Sequence, residues 1–173
     1  EKENNFLNPA NLIPSKPPKK IVTPASTEKM IAEVENLRAA DLRLKKKKNY
    51  EVFFTEAKHI PNILHEIGRL REITFREVGE GTNESIDIDK YDQYYRHLFL
   101  WDDDTKQIAG AYSMGLGSHI FPKYGIEGFY LNGLFRFEPE LHDMMSKSID
   151  MGRAFIIKDY QQKPMPWRIL GMC

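Results

Sequence analysis

The stretch from Asn49 to Val78 constrains the fold more than any other. "NYEVFFTEA" (Asn49 to Ala57) alternates like a half-buried strand. Directly after it, Ile60, Ile63, Leu64, Ile67, Leu70 and Thr74 recur at the spacing of one helical face, predicting a long helix to about Val78. A strand feeding at once into an amphipathic helix needs a sheet for that helix to lie on, which selects an α/β architecture.

The flanks extend this pattern. Residues 1–25 hold five prolines and little periodicity, as a linker or an extended arm would. Residues 26–48 predict a linker helix, with Ser26 or Thr27 as N-cap, Glu28 in the first turn, and Met30, Ile31, Val34 and Leu37 on one face. The main domain is placed at 49–173. Within it, "RHLFLWDDDTKQIAGAYSMG" reads as a hairpin with strands to Trp101 and through Tyr112, "FRFEPELHDMMSKS" contains a short helix, and "SIDMGRAFII" is a further strand. The expected whole is one mixed sheet flanked by helices. It looks unfinished, because thirteen residues after Tyr160 cannot supply the partners its edges need. With Glu1 at the start, the chain reads as a piece of a longer protein, apparently truncated at its C-terminus.

Composition excludes several functions. A formal net charge of zero argues against a dedicated nucleic-acid binder. The one basic run, Leu42 to Lys48, reads either as a solvated helix end or as a patch adhering to anionic lipid, worth about 1 kcal/mol per basic residue. The single cysteine, Cys173, forms no internal disulfide, and no apolar run is long enough to span a membrane. The expected location is therefore cytoplasmic, with peripheral contact to the inner membrane as an option. An EF-hand register from Asp87 fails, because Asp92 stands where glycine is required. The five histidines form no metal-ligating pair, so no metal is expected. There is no nucleophile elbow and no phosphate loop.

What remains is an acidic loop, with Asp87, Asp89 and Asp92, beside a helix carrying Arg71 and Arg76. One reading is a structural ion pair, with Arg71 neutralising Asp89 or Asp92. The other is a site for a cationic or amine substrate, in which carboxylates hold an ammonium group and help it lose a proton before it attacks an acyl donor. Asp150 and Arg153 raise the same question inside an otherwise apolar strand.

These segments together ("LREITFREVGEGTNESIDIDKYDQYYRHLFLWD", "GAYSMGLG", "LNGLFRFEPEL" and "SIDMGRAFIIKDYQQKP") resemble the GNAT-like N-acyltransferases of the bacterial group named hemolysins. That group acylates ornithine or glycine to make aminolipids and is similar to acyl-homoserine-lactone synthases. The resemblance covers about Tyr50 to Pro164. The N-terminal stretch resembles the connector of fusions in which a lysophospholipid-type acyltransferase domain comes first.

The resemblance implies catalytic roles for Asp89, Asp92, Asp150 and Arg153, and substrate binding by Arg71, Phe75 and Trp101. It implies a fatty acyl group, with or without a 3-hydroxyl, delivered as a thioester of acyl carrier protein or coenzyme A, with no permanently bound cofactor. Ala154, Phe155 and Ile156 would line the donor's pantetheine arm, and Lys158, Gln161, Gln162 and Lys163 its phosphate. Two positions depart from the group's pattern. Ser113 stands where an arginine is usual, and Asp150 is shorter than the usual glutamate. A different class is a non-catalytic module that docks an acyl carrier or a membrane for a neighbouring domain. A pore-forming hemolysin is disfavoured, since neither a spanning helix nor a barrel hairpin is visible. As a piece, the chain is expected to represent the acceptor half of such an enzyme better than the donor half, and on its own it need not be active.

Overall fold

The computed structural model of the protein describes residues 17–171. Five strands form one sheet in sequence order: β1 (Arg43–Lys47), β2 (Tyr50–Glu56), β3 (Arg96–Asp102), β4 (Gln107–Leu116) and β5 (Ile149–Ile156). Every pairing is antiparallel, so the sheet is mixed with helices rather than in strand direction.

Helices α1 (Thr27–Ala39) and α2 (Pro61–Glu77) cover one face. Met30, Val34 and Leu37 of α1 meet Ile63, Leu64 and Ile67 of α2 over Phe53, Phe99, Trp101, Ile108 and Phe155 of the sheet. α1 starts as its sequence dictates, with the Ser26 side chain accepting from the Lys29 N–H. α2 opens on Pro61, whose fixed φ suits the first helical turn, but its N-cap Ile60 offers no side-chain acceptor. The acceptor comes from α1 instead: Glu33 takes the N–H groups of Asn62 and Ile63, each at 2.8 Å.

The opposite face is closed by α5 (Lys158–Gln161) and α6 (Pro164–Leu170), whose Tyr160, Ile169 and Leu170 pack on Tyr50, Val52, Leu100, Ala109 and Ile156. Tyr160 donates to Asp102 at 2.5 Å, which ties α5 to the β3–β4 hairpin. A third cluster, formed by Tyr95, Ile120, Phe129 and Met145, joins α3 (Gly117–Tyr124) and α4 (His142–Ser146) to one end of the sheet. Before α1, the extended segment 19–25 lies along the 83–85 loop and α2, with Lys19 N–H on Asn83 O and Val22 N–H on Ser85 O.

The basic run is not a helix end. Arg43–Lys47 is an edge strand, turned back on β2 through Lys48 at φ +56°. Its cations converge on Glu51, which is fully buried: Arg43 reaches it at 3.0 Å and Lys46 at 3.1 Å, beside Arg38 at 2.9 Å. The other lysines face solvent and guard the open edge against pairing with another chain. Cys173 and residues 1–16 lie outside the described residues.

Candidate active site

Two arginines and three aspartates meet where α2, the 86–92 loop and β5 converge. Arg71 sits on the inner face of α2, only 1% exposed, and spreads its fork between two carboxylates. Its Nε donates to Asp87 Oδ2 at 2.7 Å and its Nη2 to Asp92 Oδ2 at 2.9 Å. Nη2 also meets the Asp87 carbonyl. Arg153 approaches Asp92 from the other side, with Nη1 3.0 Å from Oδ2, while its Nη2 pairs with Asp89.

Asp92 is therefore the hub. It also accepts the Asp89 N–H at 3.0 Å and the Ser113 hydroxyl at 3.4 Å. Burial alone would raise its pKa. The Arg71 and then the Arg153 guanidinium outweigh burial and hold the carboxyl below the usual carboxylate range. Arg153 in turn is held further above its ordinary value by Asp89 and Asp92, in spite of burial. His97, fully buried on β3, donates from Nε2 to the Asp92 carbonyl at 2.9 Å. Its Nδ1 has no partner among the described residues. Burial pushes its pKa down, so the ring is neutral.

Arg153 reaches this cluster because the strand is broken for it. Ala111 pairs with Phe155 and Ser113 with Gly152, so Tyr112 of β4 faces both Arg153 and Ala154. Arg153 occupies the left-handed region at φ +54°, the geometry of a bulge that re-aims a side chain.

Asp150 lies two residues before the bulge's Gly152 and forms a separate pole. It is 4% exposed and accepts through Oδ2 alone, from Tyr95 OH at 2.7 Å and the Leu131 N–H at 3.3 Å. Oδ1 accepts nothing from the described residues. The carboxylate lines a recess with Tyr91, Tyr95, Ser113, Tyr130, Gly152 and Arg153, whose volume is about 10 Å³. Next to it, a cavity of about 350 Å³ has walls that include Phe75, Asp87, Asp89 and Ile88, and shares Tyr130 and Arg153 with the recess. The Arg153 guanidinium stacks over the Tyr130 ring, 4.6 Å from its centroid, at the boundary between the two.

Of the residues singled out from sequence, Arg71, Asp89, Asp92 and Arg153 come together in one hydrogen-bonded network. Asp150 joins Arg153 in lining the recess, and Phe75 lines the larger cavity. The ion-pair reading of Arg71 named Asp89 or Asp92 as partner, and the observed pair is Asp87 and Asp92. Trp101 is elsewhere. It is fully buried in the main core, registers with Glu51 and Ile108, and lines neither cavity. Strand alternation accounts for this, because an even step from Phe99 returns the side chain to the core face.

Phe155 and Ile156 likewise give their side chains to the two cores. Only their backbone, with that of Ala154, is available on the open side of β5. Ile157 N–H bonds Ala109 O at 3.0 Å, so ladder alternation turns the Ile156 N–H away from β4. Lys158 is exposed on α5, Gln161 donates to the Ile156 carbonyl at 2.9 Å, Gln162 is exposed, and Lys163 caps the Tyr160 ring at 4.1 Å. Sequence reasoning missed the three recess tyrosines and His97. The tyrosine density of "YDQYYR" was the visible signal, but nothing local brings Tyr130 to it.

A five-stranded antiparallel sheet flanked by helices is consistent with a GNAT-type α/β domain. The chain belongs to the acetyltransferase (GNAT) domain family, whose model matches residues 70–170. It is also similar to a glycine N(alpha)-acyltransferase of Bacteroides thetaiotaomicron, 34% identical over 146 residues, covering 82% of this chain and 43% of that protein. A glycine N(alpha)-acyltransferase of Phocaeicola vulgatus is likewise 34% identical over 146 residues, covering 82% of this chain and 44% of its own length. The chain thus spans less than half the length of these relatives. No solved structure matches it. No helix among the described residues is long and apolar enough to cross a membrane.

Proposed function

We propose that the protein is an N-acyltransferase that moves a fatty acyl group from a thioester, carried by acyl carrier protein or coenzyme A, to the amine of a small amino acid in aminolipid synthesis. The observation that carries this reading is Asp150: a buried carboxylate with one oxygen free of protein donors, lining a recess beside Arg153. The GNAT family membership and the glycine acyltransferase relatives support it.

An amine enters as the ammonium ion and pairs with Asp150 Oδ1, which takes a proton as the nitrogen begins its attack. The nitrogen lone pair adds to the thioester carbonyl carbon. Backbone N–H groups on the open side of β5 stabilise the oxyanion. The C–N bond is kept, the C–S bond breaks, and the thiol leaves with a proton. No covalent enzyme intermediate is needed, in keeping with the absence of an activated nucleophile among the described residues. Arg71, Asp89 and Asp92 act through Arg153 by fixing its position, and the acceptor's carboxylate pairs with Arg153.

Full-length protein incubated with an acyl thioester and glycine should yield N-acylglycine by mass spectrometry. Asp150→Asn should lower the rate about 100-fold or more, the usual contribution of a positioned base. Undiminished turnover in that variant, or no N-acyl product from any amine, would sink the proposal.

A further inference from the structure

Resting on the acyl-transfer reading, we infer that the extended segment 19–25 is a positioning strap for the site: with Arg76, it holds the 82–89 loop where Asp89 can pair with Arg153. That loop has neither helix nor strand of its own, so its backbone polar groups need partners from elsewhere. Yet it forms one wall of the cavity of about 350 Å³, to which it contributes Thr82, Ile86, Asp87 and Asp89.

Two fixtures supply the partners. On the α2 side, the fully buried Glu72 accepts the Thr82 N–H at 3.0 Å, the Thr82 hydroxyl at 2.6 Å and the Asn83 N–H at 2.9 Å. On the outer side the strap donates to the loop's carbonyls, Lys19 N–H to Asn83 O at 2.9 Å and Val22 N–H to Ser85 O at 3.0 Å. The carbonyl between them, that of Glu84, is met by Arg76 Nη2. Arg76 Nη1 donates to the Lys19 carbonyl at 2.8 Å, and its Nε to Glu72 at 2.7 Å, so one planar fork clamps helix, loop and strap together. Three successive loop carbonyls are thus satisfied by the strap or by its clamp. At its far end the strap is tied to α2, where Glu66 accepts the Ala25 N–H at 2.9 Å. Lys19, Lys20, Thr23 and Pro24 are exposed, so what the strap supplies at the loop is backbone hydrogen bonds more than core packing. Within the next few residues the loop delivers Asp87 to Arg71 and Asp89 to Arg153. Releasing the strap loosens the grip on Arg153, the group that meets the acceptor's carboxylate.

Proline at positions 19 and 22 removes both N–H donors, and Pro17, Pro18 and Pro24 show that the extended segment accommodates the ring. In the full chain, Lys19→Pro/Val22→Pro should speed hydrogen exchange of the Asp87 and Asp89 amides about tenfold, as lost hydrogen bonds on a loop do. The Phe99 amide in β3 should keep its rate. The KM for glycine should rise about fivefold or more, with kcat within about twofold of the wild type. Lys20→Pro, whose N–H meets neither loop carbonyl, should match the wild type in both measurements. Unchanged exchange at Asp87 and Asp89 in the double variant, or equally faster exchange in the loop and in β3, overturns the strap. So does an unmoved glycine KM, or an equal effect from Lys20→Pro. Loop exchange that responds as expected, with no N-acyl product from any amine in the wild type, overturns the acyl-transfer reading instead.

Discussion

Asp92 shows how a single buried residue can organise a charged network. It is fully buried, and its charge is tolerable only because Arg71 and Arg153 both face it. A lysine at position 71 could not replace the fork that spans Asp87 and Asp92, since a point charge makes no bidentate pair. His97 holds the same aspartate through its carbonyl, and its neutrality has a measurable consequence. The folded pKa lies below the ordinary 6.5, because burial, Arg71 and Arg153 oppose a positive ring more than Asp92 favours it. As pH falls below about 6.5, the unfolded His97 takes a proton that the folded one refuses. Stability is therefore present above that pH and drains below it, by at most about 1.4 kcal/mol per pH unit, until the folded ring also protonates. Urea midpoints should decline between about pH 7 and pH 5 in the wild type. His97→Gln keeps a donor for the Asp92 carbonyl and cannot titrate, so its decline should be shallower. Parallel slopes would overturn the assignment of the decline to His97.

At the scale of elements, β5 is the strand whose irregularity matters. Arg153 adopts φ +54°, a conformation that costs a non-glycine residue roughly 1 kcal/mol or more. The guanidinium's pairs with Asp89 and Asp92 offset that cost. Two substitutions separate backbone from side chain. Arg153→Ala loses the pairs and keeps the strain, whereas Arg153→Gly loses the pairs and relieves it. Both should lose acyl transfer, while chemical denaturation should find the glycine variant about 1 kcal/mol more stable than the alanine one. Equal stabilities would mean that the bulge carries no strain. Strands β2 to β5 and α2 were legible because period two and period 3.6 are local properties of the chain, as with Ile60, Ile63, Leu64 and Ile67. α3 was hidden by glycines at 117 and 125 and by Pro122 within it. Of the two readings of the basic run, the helix end fails because the partner that draws Arg43 and Lys46 into place, Glu51, declares itself only once β2 pairs with β1.

For the whole molecule the same distinction holds: the charged network was legible, because Arg71, Asp89, Asp92 and Arg153 stand out in their segments, and the tyrosine recess was not, because Tyr91 and Tyr130 meet only through the tertiary fold. The most consequential long-range contacts are those of α1, and we propose that the folding unit includes it. Met30, Val34 and Leu37 are each at most 4% exposed, and burying three such side chains contributes about 5–9 kcal/mol. That is comparable with the entire stability of an ordinary domain, about 5–15 kcal/mol. Glu33 caps the start of α2, and Arg38 reaches across to Glu51 at 2.9 Å and Asp103 at 2.8 Å. Removing residues 1–48 would uncover the α2 side of the core, leave the Asn62 and Ile63 amides without their acceptor, and strip Glu51 of Arg38, Arg43 and Lys46 together. A chain beginning at residue 49 should therefore lack a cooperative urea transition and bind a hydrophobic dye. One beginning at residue 17 should unfold as sharply as the full chain. Cooperative unfolding of the shorter piece, at a midpoint close to the full chain's, would show that α1 is an accessory to the fold rather than part of it.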